Sequence, residues 1–374
     1  MTPEVCALPV STARNRQGLF GRLCARCHHV ILLLVVVGLG CSTTTAHADQ
    51  GGVSFWLPGF FGSMAATPLQ PGWSWATIYY HADVSASGNA AVSRAITIRQ
   101  FNPVINVNIN ANVHGQGDIG FFGPTYLFAT PVLGGQFSAS LLGAYGRDDA
   151  ALNATIGGSL AGLPLPTRSI SIEQSAIAFG GVIPQFTLRW NAGVNNYMTY
   201  ITGDIPVGKY NSSDLANLGL GHGAIDGGVA YTYFDQKSGN EFSAVFGLTG
   251  NFENSSTGYT NGIDSHLDLG ASHFVTKQLQ LGLVGYFYRQ LTPDKGGAPI
   301  LGSFESQVAG VGPQLGYLFP IGNMQGYLNF KAYKEFAAEN RPSGWNAWVT
   351  FSISPAAPST SATSSMATKA PPRD

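Results

Sequence analysis

Much of the chain alternates apolar and polar residues with a period of two. From Ile105 to His114 the odd positions are Ile, Val, Ile, Ala and Val, and the even ones are four Asn and a His. Successive side chains of a β-strand point to opposite faces, so such a run has one apolar and one polar side. The division recurs. Phe242, Ala244, Phe246 and Leu248 oppose Glu241, Ser243, Thr249 and Asn251, and Leu267, Leu269 and Ala271 oppose Asp264, His266 and Asp268. Leu279, Leu281, Leu283 and Phe287 oppose Gln280, Tyr286, Tyr288 and Gln290. Leu328, Phe330 and Ala332 oppose Asn329, Lys331, Tyr333 and Glu335, and Trp345, Ala347, Val349 and Phe351 oppose Asn346, Thr350 and Ser352. No segment sustains an apolar period of 3.6, which excludes long amphipathic helices.

The runs are about 10 to 13 residues long, enough for a tilted strand to cross a hydrocarbon core. Strands of soluble sandwiches average about 5 or 6. Candidate strands lie at 73–83, 94–113 (one strand or two), 118–129, 135–146, 176–190, 195–206, 223–235, 241–251, 264–275, 279–291, 305–318, 324–336 and 345–354. Turn residues separate several of them: Gly134-Gly135, Lys237 to Asn240, Asp294 to Gly297, and Gly322-Asn323. The expected fold is all-β, a transmembrane antiparallel up-and-down barrel of the bacterial outer-membrane type. Such barrels close with an even strand number, so 12 to 14 strands are expected from these segments. With the apolar face toward lipid, the expected lumen-lining residues are Asn106, Asn108, Asn110, Asp264, His266, Asp268, Tyr286, Tyr288, Asn329, Lys331, Tyr333 and Glu335. Trp73, Trp75, Tyr79, Tyr80, Trp190, Tyr197, Tyr200, Tyr231, Tyr233, Tyr317, Tyr327, Trp345 and Trp348 lie near strand ends or on polar faces, where interfacial aromatic belts form.

Composition narrows the alternatives. Of 374 residues 44% are hydrophobic, but only 10% are charged, against about 25% in soluble domains. The 19 basic and 20 acidic residues nearly cancel, which excludes the clustered basic excess of a nucleic-acid binder. After residue 50 there is no apolar run of the length a spanning helix needs.

The amino terminus predicts export. Arg14, Arg16, Arg22 and Arg26 precede the apolar run from Val30 to Leu39, and Ala46-His47-Ala48 has the A-x-A form of a cleavage site. Residues 1–48 therefore read as a cleaved signal peptide, with 49–72 a periplasmic or lumenal segment and 73–354 the barrel. Residues 355–374, rich in Pro, Ala, Ser and Thr, read as a disordered tail. Cys6, Cys24, Cys27 and Cys41 all precede the cut. The exported chain then has no disulfide and no thiolate metal site, and the haem-like Cys24-Ala25-Arg26-Cys27-His28 is discarded with the signal. Gly38 to Cys41 faintly matches a lipoprotein box, which leaves lipidation of Cys41 as an alternative.

The segment from Tyr333 to Pro342, Y-K-E-F-A-A-E-N-R-P, resembles the closing segment of the family named for the meta-pathway of phenol degradation, also called transporter-like outer-membrane proteins. Leu57 to Gly59, Gly62 to Ala66, Pro71-Gly72, Ile205 to Tyr210, Leu281 to Tyr286 and Val311 to Tyr317 fit the same family. The resemblance covers most of 52–354 and is strongest after 195, with no family pattern in 84–117 or 147–175, where substrate-determining loops are expected. It implies an outer-membrane barrel that takes up aromatic or other hydrophobic compounds, with no catalytic residues to carry over.

Enzyme chemistry finds little support. No Walker loop, H-E-x-x-H, G-x-S-x-G or EF-hand pattern occurs. Gly221 to Gly227 matches a dinucleotide loop only in its glycines. Ser265-His266 and Ser272-His273 could serve a barrel lipase, but no motif places a third residue. Asp264, His266 and Asp268 carry metal-ligand chemistry, yet strand residues i and i+2 stand about 6.5 to 7 Å apart, wide for one ion. The expectation is passive permeation of a small aromatic or hydrophobic solute, without catalytic residues, cofactor or metal. The expected partners are outer-membrane lipid, the solute and the barrel-assembly machinery, with no nucleic acid. The segment from Gly51 to Pro71, with Phe55, Trp56, Phe60 and Phe61, is expected to enter and constrict the lumen. The alternative is a structural or adhesive barrel that transports nothing.

Overall fold

The computed structural model describes residues 54–88, 106–160, 163–296 and 305–357. The signal segment and most of the tail lie outside the described residues. Twelve strands follow in order: β1 (Gly72–Ser87), β2 (Asn106–Leu127), β3 (Gln136–Leu160), β4 (Leu163–Ala192), β5 (Asn195–Asp204), β6 (Ala224–Asp235), β7 (Asn240–Asn251), β8 (Asp264–Phe274), β9 (Leu279–Gln290), β10 (Gln307–Ile321), β11 (Met324–Glu339) and β12 (Ser343–Pro355). Each pairs antiparallel with the next, and β12 returns to β1 in the register Trp75↔Ile353 and Tyr79↔Val349. Closure pairs every strand edge, the condition for backbone to sit in lipid.

Short turns join the strands at one end, as at 236–239 and 322–323, where Gly239 (φ 75°) and Gly322 (φ 60°) take the left-handed conformation of tight hairpins. Longer segments, including 205–223 and 252–263, join them at the other end. The outer surface exposes Phe246, Leu283, Leu328 and Phe330, an apolar belt that needs lipid around it. At the short-turn end aromatic rings follow one another around the rim, with Trp73–Tyr126 centroids at 4.9 Å, Tyr126–Phe128 at 4.9 Å and Phe128–Phe137 at 5.4 Å.

Not every aromatic joins this rim. Tyr200 and Trp348, expected at an interface, are buried inside, and Tyr80 packs on Trp348 at 4.3 Å. A twelve-stranded wall encloses more space than an eight-stranded one, so large inward side chains are needed to fill it.

Three strands far exceed the expected length. β2, β3 and β4 have 22, 25 and 30 residues. The separate segments 94–113 and 118–129 are, from Asn106 to Leu127, one strand; residues 94–105 lie outside the described residues. Residues 147–175, expected to form substrate-determining loops, instead largely complete β3 and β4, paired through Asp149↔Ser175 and Asn153↔Ser171. Register shifts at Gly143/Tyr145 and Ile156/Gly158 break the two-residue period, which is why the alternation fades there.

The expected facing of β2 is also corrected. Asn110 is exposed, whereas Ala111 is fully buried against Leu152, Ala154 and Leu215. Its polar side faces outward because this part of the strand lies beyond the apolar belt, in water. Asn106 and Asn108 pair with Ser159 and Gly157; their side chains lie outside the described residues.

Candidate functional site in the barrel lumen

Residues 54–71 lie within the barrel and descend from its long-loop end to its short-turn end. Near the top, Ser54 Oγ donates to Asp264 Oδ2 at 3.0 Å. At the exit, Leu69 and Gln136 of β3 exchange two hydrogen bonds of 3.2 and 3.1 Å, and Gly72 then begins β1. The segment has neither helix nor strand, so its buried amides and carbonyls need side-chain partners. The polar wall of β6, β7, β8 and β11 supplies them.

Leu57-Pro58-Gly59-Phe60 forms a tight turn in which Phe60 N–H donates to Leu57 O at 3.1 Å. Proline suits the second position and glycine the third, where φ is 89°. Gly59 N–H donates to Asp268 Oδ1 at 2.8 Å, and Lys331 Nζ donates to Gly59 O at 2.6 Å and to Phe61 O at 3.1 Å. The ammonium also lies 5.4 Å from the Trp348 ring centroid. A Cβ at Gly59 would come within 2.9 Å of the Tyr333 ring, so only glycine fits. Lower down, Met64 N–H donates to Glu241 Oε1 at 2.8 Å, and Ala66 N–H donates to Thr232 Oγ1 at 3.0 Å.

His266 sits at the centre of the polar wall. Trp56 stacks on it at 3.6 Å and 13°. Its Nε2 lies 3.1 Å from Tyr200 Oη and 3.2 Å from Asp226 Oδ2, and its Nδ1 lies 3.3 Å from Asp268 Oδ2. Asp264 accepts from Tyr288 at 2.8 Å and from Asn251 at 3.0 Å. Glu335 accepts from Tyr286 Oη at 2.8 Å and from Gly344 N–H at 2.8 Å, while Asn346 donates to Tyr286 Oη at 2.8 Å. Asp264 and Glu335 thus replace lost hydration with several donors, the condition for burying charge. Asn329 donates to Leu315 O at 3.2 Å. The Tyr333 hydroxyl and Trp56 indole N–H are buried without a hydrogen-bond partner among the described residues.

Nine of the expected residues, Asp264, His266, Asp268, Tyr286, Tyr288, Asn329, Lys331, Tyr333 and Glu335, are therefore buried on the inner side of β8, β9 and β11. Asn110 does not join them. Asp226, Tyr200, Glu241, Trp348 and Asn346 also make these contacts but were absent from the expected set. Glu241 and Asn346 stood in the alternating polar rows and could have been found there. Asp226 lies in a glycine-rich stretch without period, and Tyr200 and Trp348 are of the residue types that form interfacial belts.

The serine–histidine pairs separate across the wall. Ser272 Oγ donates inward to Glu241 at 2.6 Å, whereas exposed His273 contacts Asn240 at 2.8 Å. Ser265 Oγ donates to Arg289 O at 3.0 Å rather than to buried His266.

Above the lumen, Asp294 ties two outer loops together. It accepts from Gly262 N–H and Gln290 Nε2, both at 2.7 Å, and from the Tyr259 hydroxyl. Burial outweighs these donors and pushes its carboxyl up to about 6.

Comparison with known proteins gives a family and a fold. The family model described as "Putative MetA-pathway of phenol degradation" matches residues 83–351. No curated protein matches the chain. An outer membrane channel from Pseudomonas putida F1 is 13% identical, with 80% of this chain and 99% of that one covered and a TM-score of 0.56. A Pseudomonas aeruginosa FadL homologue is 8% identical, covering 84% of this chain and 99% of that one at a TM-score of 0.40. The CymD monoaromatic hydrocarbon channel is 7% identical, covering 76% and 89% at 0.32. At such identities the first likeness concerns the barrel fold.

Proposed function

We propose, from the premise that the chain belongs to the family described as "Putative MetA-pathway of phenol degradation", that it is an outer-membrane channel for passive uptake of small aromatic or hydrophobic solutes. One observation carries the reading. The lumen holds an aromatic-rich segment, hydrogen-bonded along one wall and packed through Leu57 and Phe60 against the buried cluster that includes Phe121, Ala144 and Trp348. Hydrogen bonds resist displacement by an apolar solute, whereas apolar contacts are exchanged for equivalent ones. A planar solute would pass along the apolar side, and Tyr333 and Trp56 could bond a hydroxyl on it.

In this reading residues 1–48 direct export and are removed, the assembly machinery inserts the barrel, and passage involves no catalytic step. The inward residues of β8, β9 and β11 line the path and hold the segment in place. A filled lumen also suits a non-transporting structural barrel. Uptake of labelled toluene, phenol and a fatty acid by a deletion strain, with and without the restored gene, separates the two. Gene-dependent entry of the aromatic solutes is expected; equal entry in both strains would leave the structural barrel.

A further inference from the structure

The long strands β2, β3 and β4 continue past the apolar belt. Outward side chains change from Tyr145 and Phe179 to Arg147, Asp149 and Asn153, which marks where lipid ends. From Asp148 to Leu160, β3 runs roughly 40 Å further at about 3.3 Å per residue. Here water is available on both sides, and nothing about the bilayer requires an apolar inner face. That face is nevertheless built from Ala111, Val113, Leu152 and Ala154.

Among the described residues one side chain from outside these strands covers it. Leu215, from the loop 205–223 between β5 and β6, is 4% exposed and packs on Ala111, Leu152 and Ala154. The loop is tied down on either side of that leucine by polar contacts. Leu215 N–H donates to Gln174 Oε1, and Asn217 N–H donates to Asp148 Oδ2 at 2.9 Å. The Asn217 side chain closes the loop on itself, accepting from Asn211 N–H at 2.8 Å and donating to Asp214 O at 3.1 Å. A cavity of about 100 Å³ lies next to this loop, lined by Gln174 and Ala176 of β4 and by Lys209, Ala216 and Leu218 of the loop.

We propose that this face is an outer entry site for a small apolar molecule of about one aromatic ring, and that Leu215 is the internal occupant it displaces. The proposal rests on the channel reading above and adds where the solute first binds. Three observations select the occupant. The outer side of the extension carries Asn110, Asn112 and His114, which suits water rather than an acyl chain. The apolar face turns inward, where a folded protein cannot reach it. Among the described residues its cover from outside the strands is one leucine side chain packed with two alanines and a leucine, a seat of single-ring size. A solute that occupies it competes with Leu215, so its apparent affinity falls by the fraction of time the leucine is away.

The absence of cysteine after Cys41 allows a direct test. Protein beginning at Asp49 and carrying Leu215→Cys is reconstituted in nanodiscs and labelled with a charged maleimide, with and without toluene. The fully accessible reference is Leu133→Cys, at an 85% exposed position in the β2–β3 turn. The buried thiol should label slowly, and toluene should speed it on the order of tenfold with saturation, leaving the reference unchanged. In a second variant, Leu215→Ser, labelled toluene should bind more tightly, and adding Ala154→Phe should reverse the gain. Toluene without effect on labelling or binding, or equal acceleration at both cysteines, overturns the entry site. Uptake that persists alongside either result leaves the channel reading intact. Saturable acceleration without gene-dependent uptake keeps the site and removes the channel.

Discussion

Strands β2 and β8 share a two-residue alternation and use it in opposite ways. In β8 the polar residues Asp264, His266 and Asp268 face inward and Leu267 and Leu269 face outward. In the outer part of β2, Ala111 faces inward and Asn110 and Asn112 face outward. The difference lies in the surroundings. Around β8 lipid covers the outside, and a polypeptide segment in need of hydrogen bonds fills the inside. Around outer β2 water covers the outside, and a leucine from a loop covers the inside. Alternation therefore assigns residues to two faces without saying which face points in.

The strongest way to break this comparison is to remove the segment that the polar wall holds. Deleting 54–66 should raise single-channel conductance on the order of tenfold, since a twelve-stranded lumen lies between filled and porin-sized barrels. Unchanged conductance would mean that the segment does not limit passage. Next in size is a charge placed on each outer face. Phe246→Arg, in the apolar belt, should cost about 2–4 kcal/mol of folding stability in urea titrations from liposomes. Asn112→Arg, on the extension, should cost less than about 0.5 kcal/mol. Similar losses at both sites would erase the boundary between lipid and water.

A smaller effect is expected at the clamp. Lys331→Met removes charge-assisted bonds to Gly59 and Phe61 and should loosen the turn by about 2 kcal/mol. Hydrogen exchange at Gly59 should then quicken while that of β8 amides stays slow. Exchange rising equally in both would make Lys331 a support for the wall itself.

The smallest effect belongs to the outer loops. The Asp294 carboxyl, pushed up to about 6 by burial, is favoured in its protonated form in the folded loops. Its contribution should be complete below the ordinary carboxyl value of 3.8 and fade as pH rises through about 6. Exchange at Gly262, corrected for intrinsic rates, should show that step, and Asp294→Asn should abolish it. A step that survives the substitution would belong to another group.

Legibility in sequence followed the regularity of each strand. β7, β8, β9 and β12 keep an uninterrupted period of two, as does β11 as far as Phe336, and the alternation divides their residues into two faces. β3 and β4 contain register shifts, so their outer halves carry no continuous alternation although they are paired along their length. Asp264, His266 and Asp268 were legible as a polar row. Their roles were not, because Ser54 lies 210 positions from Asp264 and Gly59 lies 209 from Asp268. Lys331 stood in a readable row, yet nothing local marked it as the donor to Gly59 and Phe61.

What the sequence determined by itself was a two-faced strand repeated around a closed wall, because side-chain alternation is a property of the extended backbone. The tertiary structure decided which face meets lipid, water, the lumenal segment or Leu215, because those neighbours arrive from distant parts of the chain. A polar side chain is stable inward only where something inside needs its hydrogen bonds.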